Sequence, residues 1–220
     1  MPIIGFTNQK GGCAKSTVAV HFVYLLYHLK RQVFLVDSDA QGTSSSWLKM
    51  LQADIPFKAM SNPDELLEEL PKLAESYEWV VVDAPAALSE VTRAVVLWSD
   101  LVVVPCQPSG VDLASASDTI RLIRQAQAVR KGEPKAIMFV SRAIKGTRLK
   151  DEAIQTLKEL TKDLPEFAVL DQALHQRQVI ADAYGQGVTV FNLSSEPAKE
   201  AKKEFESLFQ AMFKAMEQVL

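Results

Sequence analysis

The sequence predicts an α/β fold built on a doubly wound, mostly parallel sheet. Short β-rich apolar runs alternate with stretches of helical character, the pattern of strand, crossover helix and parallel strand. The runs are near-continuous in Val, Ile and Leu, as strands buried on both faces require. The residues with chemical reach, which are 10–17, Asp37, Asp39, Asp83 and Gln107, all fall just after a strand. Open α/β sheets bind their ligands at that end.

Taken in order, the first strand is Ile3 to Thr7, and a glycine-containing turn leads from it into a helix over Ser16 to Leu29. A second strand, Gln32 to Val36, delivers Asp37 and Asp39. The segment Ser61-Asn62-Pro63 is a cap followed by a proline suited to a first helical turn, and it opens a helix over Pro63 to Glu75. A strand at Trp79 to Val82 ends on Asp83, and helix Ser89 to Trp98 follows. Strand Leu101 to Pro105, helix Leu113 to Val129 and strand Ala136 to Val140 continue the alternation. A last helix, from about Pro197 to Leu220, is capped by Ser194 or Ser195. Its apolar positions Ala201, Phe205, Leu208, Phe209, Met212, Phe213 and Met216 keep a three-to-four spacing, which predicts core packing.

With 220 residues, 48% hydrophobic and 23% charged, the chain suits one compact domain over 1–220. Its formal charge of −3 excludes a global attraction to nucleic acid or to an anionic membrane, so any such binding needs a local basic face. Cys13 and Cys106 lack metal-ligand spacing and read as small buried residues of a reducing compartment. No apolar run reaches the ~20 residues of a membrane span, so a soluble, cytoplasmic protein is expected. His21, His28 and His175 have no cysteine or carboxylate cluster in the sequence that would make them ligands, and they read as helix-surface or core residues.

The segment Asn8-Gln9-Lys10-Gly11-Gly12-Cys13-Ala14-Lys15-Ser16-Thr17 carries the chemistry. A strand, a glycine turn and a Lys-Ser/Thr pair opening a helix can surround phosphate oxygens with backbone N–H groups. Lys15 would hold the β- and γ-phosphates, the Ser16 hydroxyl would meet Mg²⁺, and Thr17 would support phosphate from the helix start. The strict pattern G-x-x-x-x-G-K-S/T fails at Gln9 and Ala14. What the segment resembles is K-G-G-x-x-K-S/T, the deviant Walker A loop of the ParA/MinD family of ATPases, with Lys10 as the additional lysine. The resemblance implies a P-loop NTPase fold, ATP and Mg²⁺ as ligands, and a homodimer in which Lys10 reaches the partner's nucleotide. Ala14 stands where the family has glycine.

Two further segments extend the resemblance. Asp37-Ser38-Asp39-Ala40-Gln41-Gly42 is similar to the family's D-x-D-P-Q-G, with Ala40 in place of proline. Asp39 would orient the attacking water and Asp37 would organise Mg²⁺ and its waters. A turn-forming or capping role is the alternative for both. Trp79-Val80-Val81-Val82-Asp83 looks like a Walker B strand delivering Asp83 to the metal's water shell. Val140-Ser141-Arg142 resembles a family segment whose residue at or beside Arg142 contacts adenine, and 176–178 with 187–191 resemble the small plasmid-partition members.

Those small members lack an amino-terminal helix-turn-helix extension, so sequence-specific DNA reading is not expected. The family instead binds DNA nonspecifically as an ATP-bound dimer, and candidate contacts here are Arg177, Lys199, Lys202 and Lys203. The resemblance therefore implies a slow, adaptor-stimulated ATP hydrolase, nucleoid-associated, that segregates or positions cargo. Plasmid or chromosome partition is the leading cargo. The same mechanism positioning a protein organelle such as the carboxysome, or a chemotaxis cluster, is the runner-up. A MinD-like membrane-associated switch, an iron–sulfur reductase relative and a hydrolysis-dead scaffold are the remaining alternatives. No membrane partner is expected, because Glu200, Glu204, Glu206 and Glu217 interrupt the basic face that a membrane-bound last helix would need.

Overall fold

The computed structural model describes the backbone of residues 2–219 and the side chains of residues 2–217. Seven parallel strands form one sheet: β1 (Ile3–Phe6), β2 (Val33–Asp37), β3 (Phe57–Ala59), β4 (Trp79–Asp83), β5 (Leu101–Cys106), β6 (Lys135–Ala143) and β7 (Phe167–His175). Their spatial order is β3-β2-β4-β1-β5-β6-β7. The fold is thus the α/β P-loop NTPase type, with a sheet that is parallel throughout. The helices among the described residues are α1 (Lys15–His28), α2 (Thr43–Met50), α3 (Pro63–Ser76), α4 (Glu90–Trp98), α5 (Gly110–Val129), α6 (Leu149–Thr161), α7 (Gln178–Gly185) and α8 (Glu196–Val219), with a 3-10 turn at Val190–Asn192.

Strand alternation divides the core. Ile4, Phe6, Leu35, Val81, Leu101, Val103, Ile137 and Phe139 pack against α1, α2 and α8. Ile3, Val36, Val80 and Val82 pack against α3 and α4, and Val102, Val104, Ala136, Met138 and Val140 against α5 and α6. Neighbouring residues of a strand thus serve opposite faces, so each central strand must be apolar at every position.

The five central strands lie where the sequence predicts them, within one to three residues at each end. The two edge strands, β3 and β7, and the helices α2, α6 and α7 are additional. Two predicted caps are resolved. Asn62 Oδ1 accepts from the N–H of Asp64 at 2.8 Å, and Ser195, rather than Ser194, caps α8 through the Ala198 N–H at 3.4 Å. Helix α5 starts at Gly110, three residues before the predicted Leu113, because Ser109 Oγ accepts the Asp112 N–H. The predicted stripe of α8 is core: Ala201, Phe205, Leu208, Phe209, Met212 and Met216 are buried and Phe213 is partly so, while Leu220 lies outside the described residues. No helix among the described residues is long and apolar enough to cross a membrane.

Candidate nucleotide site

Parallel register assembles the site. Asp83 at the end of β4 is paired with Phe6 of β1 on one side and Asp37 of β2 on the other. Three chains therefore leave the sheet side by side, carrying the phosphate loop, the Asp37–Asp39 turn and the Asp83 carboxylate.

The loop itself is held by distant parts of the fold. The Thr7 N–H donates to the Val103 carbonyl at 3.0 Å. Buried Asn8 donates through Nδ2 to the Pro105 carbonyl at 2.8 Å and accepts the Lys10 N–H at 3.2 Å. Ser141 Oγ donates to the Cys13 carbonyl at 2.8 Å, and Arg142 Nη1 donates to the Gly12 carbonyl at 2.8 Å. With carbonyls tied outward and both Gly12 (φ 78°) and Ala14 (φ 71°) left-handed, the loop has the alternating backbone that forms an anion-binding nest at the start of α1. Ala14 thus adopts the glycine conformation although it has a Cβ.

Lys15 is buried, and its Nζ lies 3.1 Å from the Lys10 carbonyl, folded back over the loop. The Lys10 side chain has no hydrogen-bond or ion-pair partner among the described residues. Arg142, expected beside adenine, clamps the phosphate loop and also lines the cavity.

Asp37 is 1% exposed, with Oδ2 accepting the Ser45 N–H at 2.8 Å and Oδ1 the Asp39 N–H at 3.2 Å. It fastens the first turn of α2 to the sheet, which is the capping role that the sequence leaves open for it. Asp39 is half-buried, accepts the Gln41 N–H at 3.0 Å and lines the cavity. Asp83 is fully buried, and neither carboxylate oxygen has a hydrogen-bond partner. Burial pushes its pKa up to about 7, only partly countered by the neighbouring Ser16 and Ser44 hydroxyls and Lys15, while Asp37 adds to the rise. A carboxylate so placed fits the water shell of a divalent cation, with Ser16 opening the helix beside it.

The cavity, of ≈ 540 Å³, runs from Gly11, Gly12 and Ala14–Thr17 past Asp39 and Thr43, and past Arg142 to Leu174–Gln178, Ile180 and Phe205. Its far wall is locked by charge. Glu204 Oε1 takes Arg177 Nη2 at 2.6 Å and His175 Nδ1 at 2.9 Å, its Oε2 takes the His175 N–H at 3.0 Å, and Arg177 Nη1 reaches Glu200 at 2.7 Å. Arg177, expected as a DNA contact, has a side chain that is 14% exposed and paired with both Glu200 and Glu204. Lys199 and Lys202 make exposed intrahelical pairs with Glu196 and Glu206, and Lys203 has no ion pair among the described residues.

His21 is core. Its Nε2 accepts the Val190 N–H at 3.2 Å, which leaves Nδ1 to donate to the Thr17 carbonyl at 2.7 Å, and its ring stacks on Phe205 at 4.2 Å. Cys13 and Cys106 are buried free thiols whose pKa values burial raises, which leaves no exposed pair for a cluster shared between subunits. Glu204, Ser44 and the loop clamp of Ser141 are positions at or beside the site without a local signal. Each depends on a residue far away in the chain.

These features define a P-loop nucleotide-binding protein with a deviant phosphate loop. The chain belongs to the CobQ/CobB/MinD/ParA nucleotide-binding domain family, whose pattern matches residues 4–190, and within it to the ParA/MinD-type ATPases. It is 30% identical over 204 residues to the maintenance of carboxysome distribution protein A of Gloeobacter kilaueensis, covering 91% of this chain and 88% of that protein. It is 28% identical to the chromosome-partitioning ATPase Soj of Thermus thermophilus, covering 57% of this chain and 62% of Soj. The solved ATP complex of McdA from Cyanothece has the same fold, with a TM-score of 0.78 at 16% identity and 96% of each chain covered.

Proposed function

We propose that the chain is a nucleotide-switched ATP hydrolase of the ParA type that dimerises around ATP, binds DNA nonspecifically and segregates or positions cargo when an adaptor stimulates hydrolysis. The observation that carries this reading is the junction of the anion nest, buried Lys15 and half-buried Asp39 around one cavity, with unpartnered Asp83 buried at the adjoining strand end. Lys15 and the loop N–H groups bind the β- and γ-phosphates, and Lys15 leaves the Lys10 carbonyl to do so. Ser16 and Asp83, with Asp37 behind them, would hold Mg²⁺, which when bound neutralises developing phosphate charge. Asp39 orients the attacking water. Lys10, whose side chain has no partner among the described residues, would serve the neighbouring subunit's nucleotide.

The test is ATP binding and phosphate release by the wild type, Lys15→Ala and Asp39→Ala, with light scattering for mass. Lys15→Ala should lose nucleotide binding. Asp39→Ala should bind ATP, remain dimeric and turn over at least 10-fold more slowly. Wild-type turnover no faster than that of Asp39→Ala would sink the hydrolase reading.

For the cargo, one observation favours the organelle reading. The carboxysome-distribution relative matches 91% of this chain, whereas Soj matches 57%. Under that reading the cargo is a protein organelle, the adaptor binds its shell, and the mechanism at the nucleotide is unchanged.

A further inference from the structure

Around the phosphate loop, the buried oxygens without a hydrogen-bond partner of good geometry are Thr7 Oγ1 and Gln9 Oε1 in the loop's own segment and, beside it, both carboxylate oxygens of Asp83 and the hydroxyl of Ser44. Asp83 and Ser44 are each 0% exposed. A buried hydroxyl left unpaired costs roughly 1–3 kcal/mol, and a carboxylate costs more, so native structures seldom keep such a pair without use for it. The fold explains how they meet. Asp37 and Asp83 are register partners on β2 and β4, and Asp37 Oδ2 fastens the Ser45 N–H. The first turn of α2 is thereby pinned to the sheet end, with Ser44 one residue before the pinned position. Its hydroxyl is thereby brought near enough to the Asp83 carboxylate to temper its raised pKa, as Ser16 also is, although neither makes a hydrogen bond of good geometry with it.

We propose that Ser44 is a positioning residue for the divalent cation that accompanies the nucleotide, completing with Ser16 and Asp83 the group that holds its water shell. A hydroxyl suits this place because it can donate to a carboxylate and accept from a water at once. The consequence reaches Asp39, because α2 begins directly after the turn that carries it. Filling the shell would fix that turn where the attacking water must be oriented. This inference rests on reading the site as one for ATP and Mg²⁺.

The experiment is a Mg²⁺ titration of N-methylanthraniloyl-ATP fluorescence with the wild type, Ser44→Ala, Asp83→Asn and the double variant, beside thermal unfolding without nucleotide. Ser44→Ala should raise the half-saturating Mg²⁺ roughly 10-fold. Its nucleotide-free melting temperature should not fall, since an unpaired hydroxyl is removed. In the Asp83→Asn background the Ser44→Ala effect should largely vanish, because the two act on one shell. A wild-type Mg²⁺ dependence in Ser44→Ala, a strictly additive pair, or a lowered melting temperature with unchanged Mg²⁺ dependence would each overturn the role of Ser44 alone. Wild-type probe binding indifferent to Mg²⁺ overturns the ATP and Mg²⁺ reading as well.

Discussion

Ala14 shows what one methyl group does to a phosphate loop. Its φ of 71° is the left-handed conformation, which costs an L-residue roughly 1–2 kcal/mol. Glycine removes that strain and returns about 0.4–1 kcal/mol through the larger entropy of its unfolded chain. Ala14→Gly should therefore stabilise the protein by about 0.5–1 kcal/mol, read as a higher urea midpoint at unchanged slope; a lower midpoint would mean that the methyl packs better than it strains. His21 sets a pH response. Burial lowers its pKa from 6.5 to about 4, so between those values the unfolded chain binds more protons than the folded one. Stability from this group is complete above pH 6.5 and falls as pH drops toward 4, by about 3 kcal/mol in all. His21→Gln should flatten unfolding free energy across that window; an unchanged pH profile would mean that His21 does not set it. The phosphate loop was legible in the sequence because its parts are contiguous. The partners of His21 were not, since Val190 and Phe205 lie far along the chain and nothing near residue 21 announces them.

At the scale of elements, legibility followed burial. Strands β1, β2, β4, β5 and β6 are covered on both faces and read as unbroken apolar runs. Edge strand β3 has three residues, all at least partly exposed, and β7 mixes Asp171, Gln172 and His175 into its pattern. Helix α2, Thr-Ser-Ser-Ser-Trp-Leu-Lys-Met, is too polar at its start for periodicity to reveal it. The missed elements matter, because β7 and α7 build the far wall of the cavity and α2 carries Ser44. Helix α8 is joined to that wall at Glu204, whose carboxylate receives Arg177, His175 and a backbone N–H. Glu204→Gln keeps the shape but removes the charge from this junction. It should cost about 1–2 kcal/mol by thermal unfolding and speed hydrogen exchange over residues 175–185. Unchanged protection there would mean that α8 is held by its apolar stripe alone.

The whole molecule poses an electrostatic problem for the proposed DNA binding. The chain carries a formal charge of −3, and a dimer doubles that, so attraction to phosphate must come from a small basic area brought together twice. Arg177 is half-buried and paired with Glu200 and Glu204, so the more available of the candidate cations are the lysines on the outer face of α8. The pairs of Lys199 with Glu196 and Lys202 with Glu206 are exposed and therefore hold these lysines weakly, at about 0–1 kcal/mol each. DNA phosphates can compete for them, and Lys203 needs no release. One copy of this face offers three lysines, and the proposed nucleotide-built dimer would present them twice. Binding to random duplex DNA should accordingly appear with ATP, weaken without nucleotide or in Lys10→Ala, and fall steeply with salt. The triple variant Lys199→Ala, Lys202→Ala, Lys203→Ala should retain ATP binding while lowering the slope of log affinity against log salt by about one unit for each phosphate it no longer neutralises. An unchanged slope would move the DNA face away from α8, and binding indifferent to nucleotide would separate DNA from the switch altogether.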